Sequence, residues 1–332
     1  MSEPTLAIEA SNLTKSYPGG RNKPRVQALD DLSFVAEAGT IFGLLGPNGA
    51  GKSTTVKILS TLTRADTGLA LVAGIDVAKH PDRVRKAVGF VAQKQVSDPM
   101  DTGRENLVLA GQLQGMTTRA AKARAADLLA RFNLADSADR QVKTYSGGMA
   151  RKLDVAIGIM HHPQVLFLDE PTTGLDPEAR AEMWAELESM SRAEAMTVLL
   201  TTHYLEEADR LASRLAIVDH GRVVVEGTPE QLKDGLQGDA VIVELHGDTS
   251  VEAALIALQK VDGLSEVIVE GRSLRGRAAA GAIALPLVLG ALDEASLKVA
   301  SATVARPSLD DVYLRHTGHS YASTVANKEQ AA

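Results

Sequence analysis

The chain has 332 residues, 45% of them apolar, enough for a buried core and more than one compact domain usually needs. A formal net charge of −7 argues against nucleic acid as the main partner, and 3% aromatic residues leave few stacking platforms for single strands. The absence of cysteine excludes disulfide frameworks and thiolate metal sites, and no stretch reaches the roughly 18 uncharged apolar residues of a membrane span, the nearest candidate at 278–292 being interrupted by Pro286.

Residues 1–20 hold no apolar segment of signal-peptide length, so any membrane role is expected to come through a partner chain. Residues 40–45 read as a buried strand and 51–61 as the helix after it. A short strand at 88–92 follows, then two or more helices within 107–132 and a helix over 148–162 stopped by Pro163. The fully apolar run 165–168 suits a parallel strand covered on both faces. Asp176 can cap a helix that begins with Pro177 and runs to about Arg192. Strands are expected at 197–201 and 215–218, the latter turning through His220-Gly221 into a hairpin strand at 222–226. Alternation of strand and helix predicts an α/β fold with a parallel sheet.

Near 235–239 the pattern changes. Strand 240–245, helix 251–259, strand 265–270, helix 284–294 and strand 297–305 predict a small C-terminal α+β domain of ferredoxin-like kind. The expected division is a first domain over 5–235, with a helical part at about 94–162, a second domain over 240–318, and a loose polar tail at 319–332.

Two motifs carry chemistry on their own. Gly46, Pro47, Asn48, Gly49, Ala50, Gly51, Lys52 and Ser53, followed by Thr54, fit the G-x-x-x-x-G-K-[ST] phosphate loop between a predicted strand and helix. Glycines let the backbone wrap a phosphate, the helix N-terminus faces the anion, Lys52 supplies a cation to the β- and γ-phosphates, and the Ser53 hydroxyl can bind Mg²⁺. At the end of the 165–168 strand stand Asp169, a candidate Mg²⁺ ligand, and Glu170, a candidate base for the attacking water. Strand ends in such sheets converge on one crevice, which joins the two motifs into one ATP site.

Tyr145, Ser146, Gly147, Gly148 and Met149, some twenty residues before Asp169, resemble the LSGGQ signature of the ATP-binding-cassette (ABC) superfamily. The resemblance covers about residues 5–235 and implies a P-loop NTPase cassette with a mixed sheet core and a helical subdomain. It further implies a head-to-tail dimer in which Ser146–Met149 complete the ATP site of the opposite subunit. By the same resemblance Tyr17 matches the adenine-stacking aromatic, Gln93 the glutamine that touches Mg²⁺ and water, Asp176 the loop that crosses the dimer interface, and His203 the γ-phosphate histidine. Tyr145–Asp154 and residues 306–314 are similar to the daunorubicin/doxorubicin-resistance exporter ATPases. Met149 departs from the signature glutamine and cannot donate that side-chain hydrogen bond.

The reading implied is an ATP-hydrolysing subunit, with ATP and Mg²⁺ as cofactors, that energises a membrane exporter of drugs, antibiotics or lipids. Catalytic roles fall to Glu170, His203, Lys52 and Gln93. The expected partners are an ABC permease subunit, contacted through about 94–113, and a second identical ATP-binding subunit, with no nucleic acid. The expected place is the cytoplasmic side of the cell membrane. An importer subunit, or a soluble ABC-type ATPase acting on ribosomes or DNA, are the alternatives.

Overall fold

The computed structural model describes residues 5–19, 24–194, 196–236 and 238–318; the tail expected at 319–332 lies outside the described residues. The chain divides into two compact units, Met1–Thr228 and Pro229–Ala332.

The first unit contains β1 (Leu6–Tyr17), β2 (Val26–Glu37), β3 (Ile41–Leu45), α1 (Lys52–Leu59), β4 (Thr67–Val72), β5 (Ile75–Asp76), α2 (Pro81–Ala87) and β6 (Val88–Val91). It continues through α3 (Gly103–Leu113), α4 (Thr118–Arg131), α5 (Gly147–Gly158), β7 (Val165–Asp169), α6 (Pro177–Glu194), β8 (Thr197–Thr202), α7 (Leu205–Leu211), β9 (Arg214–Asp219) and β10 (Arg222–Gly227). One sheet has the order β10-β9-β3-β8-β7-β6. From β9 to β6 its neighbours are parallel, while β10 returns antiparallel through the expected hairpin. A second, antiparallel sheet has the order β2-β1-β4-β5.

The apolar run of β7 serves two cores at once. Because successive side chains point to opposite faces, Leu166 and Leu168 join a cluster with Leu107, Leu128, Phe132, Leu153 and Ile159 from α3, α4 and α5 and their flanks. Val165 and Phe167 point the other way, into a cluster with Ile8, Leu29, Phe34 and Leu59. Strand β8 splits alike, with Val198 and Leu200 on the helical side and Leu199 on the other. The sheet is thus clamped between a helical layer and the antiparallel sheet with α1, which fixes the carboxyl ends of β3, β7 and β8 relative to one another.

Several elements differ from the sequence expectation. Strands β1, β2, β4 and β5 and helices α2 and α7 were not foreseen, so the expected parallel sheet is only the centre of the unit. The register of β1 on β2 shifts at four places between Leu6 and Ser16, and these irregularities break the period-2 pattern by which a strand is recognised. Helix α5 ends at Gly158, short of the expected 162. Gly158 lies under β6, where a Cβ would stand 2.8 Å from Val91 Cγ2, and Ile159 caps the helix.

The second unit holds α8 (Pro229–Asp234), β11 (Asp239–Leu245), α9 (Val251–Leu258), β12 (Leu264–Glu270), β13 (Ser273–Ala278), α10 (Gly281–Glu294), β14 (Val299–Ala305) and α11 (Leu309–Thr317). Its four antiparallel strands have the order β12-β13-β11-β14, and β-α-β-β-α-β is the ferredoxin-like succession. Strand β13 and helix α11 complete it beyond the expectation. Helix α8 packs on α11, so the unit begins before the expected 235–240. The 306–314 segment has a structural role. Ser308 and Asp311 form a capping box on α11, and Asp311 Oδ1 lies 2.8 Å from Arg275 Nη1 and 3.2 Å from Arg277 Nη2, pinning the helix to β13.

Candidate functional site

The loop from β3 to α1 is shaped by two glycines in particular. A Cβ on Gly46 would stand 2.3 Å from Val218 O. Gly51 combines a φ of +112° with a Cβ position 2.7 Å from Ala28 O, so only glycine meets both demands. Gly51 is also the N-cap of α1 and offers no side chain to its first turn, which leaves the amides of Lys52, Ser53 and Thr54 without a side-chain cap and suited to an anion. Asn48 and Gly49 are exposed at the crest, while Pro47 and Ala50 are buried beneath it.

Lys52 is 4% exposed. Its Nζ donates to Gly46 O at 2.7 Å and Pro47 O at 3.2 Å, and lies 3.4 Å from Glu170 Oε1. Ser53 Oγ donates to Asp169 Oδ1 at 3.0 Å, and Thr201 Oγ1 donates to the same oxygen at 2.6 Å. Ser53 Oγ and Asp169 Oδ1 therefore stand side by side as hard oxygen donors. Such a pair of hard oxygens fits a divalent cation that takes its remaining oxygens from phosphate and water.

Glu170 follows β7 with a φ of +50°, a left-handed turn uncommon for a residue with a side chain. Its amide is anchored 3.1 Å from both Thr201 O and Thr201 Oγ1. Its carboxylate collects partners from four segments: Lys52 at Oε1, and at Oε2 Gln93 Nε2 at 3.2 Å, Thr173 Oγ1 at 3.3 Å and His203 Nδ1 at 3.0 Å. The His203 contact is at ion-pair distance but off the line of a good hydrogen bond. Burial raises the Glu170 carboxyl, but His203 and the charge of Lys52 outweigh it and hold the group below the ordinary glutamate range. The group is ionised at neutral pH and is an acceptor only.

Lys52, Ser53, Gln93, Asp169, Glu170 and His203 are thus drawn into one network. Tyr17, Ser146–Met149 and Asp176 stand outside it. Tyr17 ends β1, half-buried, with Lys15 Nζ 5.6 Å from its ring centre. Ser146 caps α5 by accepting from Met149 N at 3.2 Å. Ser146 and Gly147 are exposed, and a Cβ on Gly147 would meet nothing within 4 Å. Gly148 packs against Ala179, where a Cβ would come within 2.9 Å, and Met149 leans on the helical core. Asp176 caps α6, accepting from Ala179 N at 2.9 Å. The N-termini of α5 and α6 are therefore neighbours, both presented at the surface.

Four residues of this region were not foreseen as contributors: Thr201, Thr173, Arg151 and Asp154. Arg151 and Asp154 did leave a signal, since two opposite charges three apart fall on the apolar face of α5 between Ala150, Leu153 and Val155.

The chain is similar to known proteins over most of its length. Residues 29–173 match the family model described as ABC transporter. The chain is 44% identical over 321 residues to the daunorubicin/doxorubicin resistance ATP-binding protein DrrA of Streptomyces peucetius, covering 96% of this chain and 94% of that protein. It is 38% identical over 328 residues to the Nod factor export ATP-binding protein I of Sinorhizobium fredii, covering 96% and 88%. Among solved structures it resembles the bacterial ABC transporter cassette MJ0796, determined as a dimer, with a TM-score of 0.61 and 25% identity over 67% of this chain and 98% of that one.

Proposed function

The chain belongs to the ABC transporter family as an ATP-binding, ATP-hydrolysing exporter subunit, and we propose that the network around Glu170 is its hydrolytic site. The observation that carries this reading is the convergence of Lys52, Gln93 and His203 on one buried carboxylate beside the Ser53–Asp169 oxygen pair.

In this reading the Gly46–Thr54 loop wraps the phosphates with its amides, and Lys52 places its cation on the β- and γ-phosphates. Tyr17 stacks on the adenine. Ser53 and Asp169 would hold Mg²⁺, with Gln93 as a further ligand, and the ion would supply charge neutralisation at the phosphate oxygens. Glu170 accepts a hydrogen bond from the attacking water and takes its proton as the water oxygen bonds to the γ-phosphorus and the bond from that phosphorus to the β–γ bridging oxygen breaks, with ADP as the leaving group. Its lowered basicity places the emphasis on orientation, which is the larger part of catalysis in phosphoryl transfer. His203 and Gln93 hold the carboxylate and the water in line.

Two identical chains would pair head to tail, so that Ser146, Gly147, Gly148 and Met149 of one close on the γ-phosphate held by the other while Asp176 crosses the interface. The exposure of Ser146, Gly147 and Asp176 supports this arrangement. Closure would pass to a permease subunit through the segment after Gln93, where Val96, Met100, Leu109 and Leu113 are exposed apolar side chains. No helix among the described residues is long and apolar enough to cross a membrane; in this reading the subunit reaches the cytoplasmic side of the membrane through that permease. The cargo in this reading is a drug, antibiotic or lipid, by analogy with the daunorubicin/doxorubicin resistance and Nod factor export relatives. Co-expression with the permease in drug-sensitive cells tests the reading. ATP-driven efflux of daunorubicin, lost with Lys52→Ala, is expected; recovery of the chain on ribosomes with no effect on efflux would overturn it.

A further inference from the structure

Helix α5 carries the exposed Ser146 and Gly147 at one end and, one turn in, a buried pair of opposite charges. Arg151 is 8% exposed and Asp154 is 1% exposed. The pair is 3.9 Å apart, Nη1 to Oδ2, too far for a tight ion pair, because each side chain is engaged elsewhere.

The Arg151 guanidinium is directed at backbone carbonyls of two different loops. Nε donates to Pro171 O at 2.7 Å and Nη1 to Ala92 O at 2.6 Å. Nη2 lies 3.3 Å from Asp169 O and 3.4 Å from Glu170 O. Asp154 Oδ1 accepts from Val96 N at 3.3 Å and Ser97 N at 3.0 Å. One pair of side chains thus grips the residue before Gln93, the turn after it, and the backbone of the Asp169–Pro171 segment.

Burying two charges is expensive, and apolar residues of similar size usually serve stability as well or better. What an apolar residue does not supply is a planar fork whose donors match carbonyls arriving from two directions. Burial draws the Arg151 guanidinium below its ordinary range, and Asp154, Asp169 and Glu207 oppose that shift.

We propose that Arg151 and Asp154 are positioning residues for ATP hydrolysis, tying α5, the Gln93 loop and the backbone of Glu170 into one body. Helix α5 cannot shift without carrying both the carboxylate and the loop that follows Gln93. The end of α5 that meets the partner's nucleotide is therefore mechanically joined to the chain's own hydrolytic carboxylate. The inference rests on the assignment of Glu170 and Gln93 made above.

The test is steady-state ATPase kinetics, fluorescent-ATP affinity and thermal unfolding on the full chain carrying Arg151→Met, Arg151→Lys, Asp154→Asn or Asp154→Leu. Arg151→Met removes the fork and should lower kcat roughly 10- to 100-fold, the scale of a small misplacement of catalytic groups. KM and ATP affinity should stay within about twofold, the signature of a group that acts on turnover alone. Arg151→Lys keeps the charge and loses the fork, and should fall between the two. Asp154→Asn keeps an acceptor oxygen for Val96 and Ser97 and should hold most of the turnover, whereas Asp154→Leu should follow Arg151→Met.

Full kcat in Arg151→Met, or a loss confined to KM, overturns the inference. If Arg151→Met does not fold, full kcat in the folded Arg151→Lys variant overturns it instead. Glu170→Gln separates the two readings. An active Glu170→Gln enzyme removes the assignment of the base; an inactive one combined with full turnover in Arg151→Met removes only the clamp.

Discussion

Thr201 and Asp169 are register partners across the parallel strands β8 and β7, and the Thr201 hydroxyl lies 2.6 Å from Asp169 Oδ1 while accepting from the Glu170 amide at 3.1 Å. One hydroxyl therefore fixes both acidic residues of the site. Thr201→Val keeps the β-branched shape but removes the donor and the acceptor. It should cost about 1–3 kcal/mol of stability, the net worth of two hydrogen bonds, while Asp169 Oδ1 keeps Ser53 and the Glu170 amide keeps Thr201 O. The ATPase rate should fall more than ATP affinity does. Urea unfolding and steady-state kinetics on the same preparation measure both, and unchanged turnover would detach Thr201 from the site.

Lys52 stands between loop carbonyls and Glu170, so its cation has contacts to exchange for phosphate oxygens. Lys52→Ala should weaken ATP binding roughly 10- to 100-fold, as expected for a charged hydrogen-bond donor worth about 1.5–3 kcal/mol. Equilibrium titration with a fluorescent ATP analogue gives the number. Wild-type affinity would remove Lys52 from the phosphate site.

Ser146 is exposed and holds only the first turn of its own helix. Ser146→Arg should cost about 1 kcal/mol through the lost cap and leave ATP binding to the Lys52 loop of the same chain intact. ATP-dependent association should disappear, because in the proposed dimer the residue meets the nucleotide of the other subunit. Sedimentation with and without ATP distinguishes the outcomes, and normal association would move the dimer interface elsewhere.

Asp66 makes a pH test of the cassette's scaffold. It accepts from Lys15 Nζ at 2.9 Å, Ser16 N at 2.8 Å and Ser16 Oγ at 3.0 Å, tying the end of β1 to the turn before β4. Hydrogen bonds from Lys15 and then Ser16 hold its carboxyl at about 2, below the ordinary 3.8. A lowered folded-state value contributes stability that is present above 3.8 and lost as pH falls through about 2. Asp66→Asn should therefore lower the unfolding midpoint at neutral pH, with the gap to wild type closing across that acid window. A gap that does not change with pH would contradict the assignment.

What could be read from the sequence, and what could not, follows the range of the interactions. Gly46–Ser53 was legible because the backbone demands at Gly46 and Gly51 are local and the helix that follows begins within the motif. The caps of Asp176 and Ser146 were legible for the same reason, each reaching only three residues along the chain. Thr201 was not, since its place beside Asp169 is decided by the register of two strands some thirty residues apart. Strands β1 and β2 were missed because bulges break their alternation. The gathering of Gln93, Lys52, His203 and Glu170 about one γ-phosphate was expected from resemblance, but the convergence of the first three on the Glu170 carboxylate, the left-handed turn at Glu170 and the grip of Arg151 belong to the fold alone.

The central claim is that Glu170 orients and deprotonates the water at a site that can still bind ATP without it. The most direct measurement is single-turnover hydrolysis by Glu170→Gln together with ATP affinity and oligomeric state. Glutamine keeps the size and an acceptor oxygen but removes the proton acceptor, so hydrolysis should slow by about 10²- to 10⁴-fold. ATP affinity should be retained, and an ATP-bound dimer should accumulate. Hydrolysis at the wild-type rate by Glu170→Gln would contradict the account.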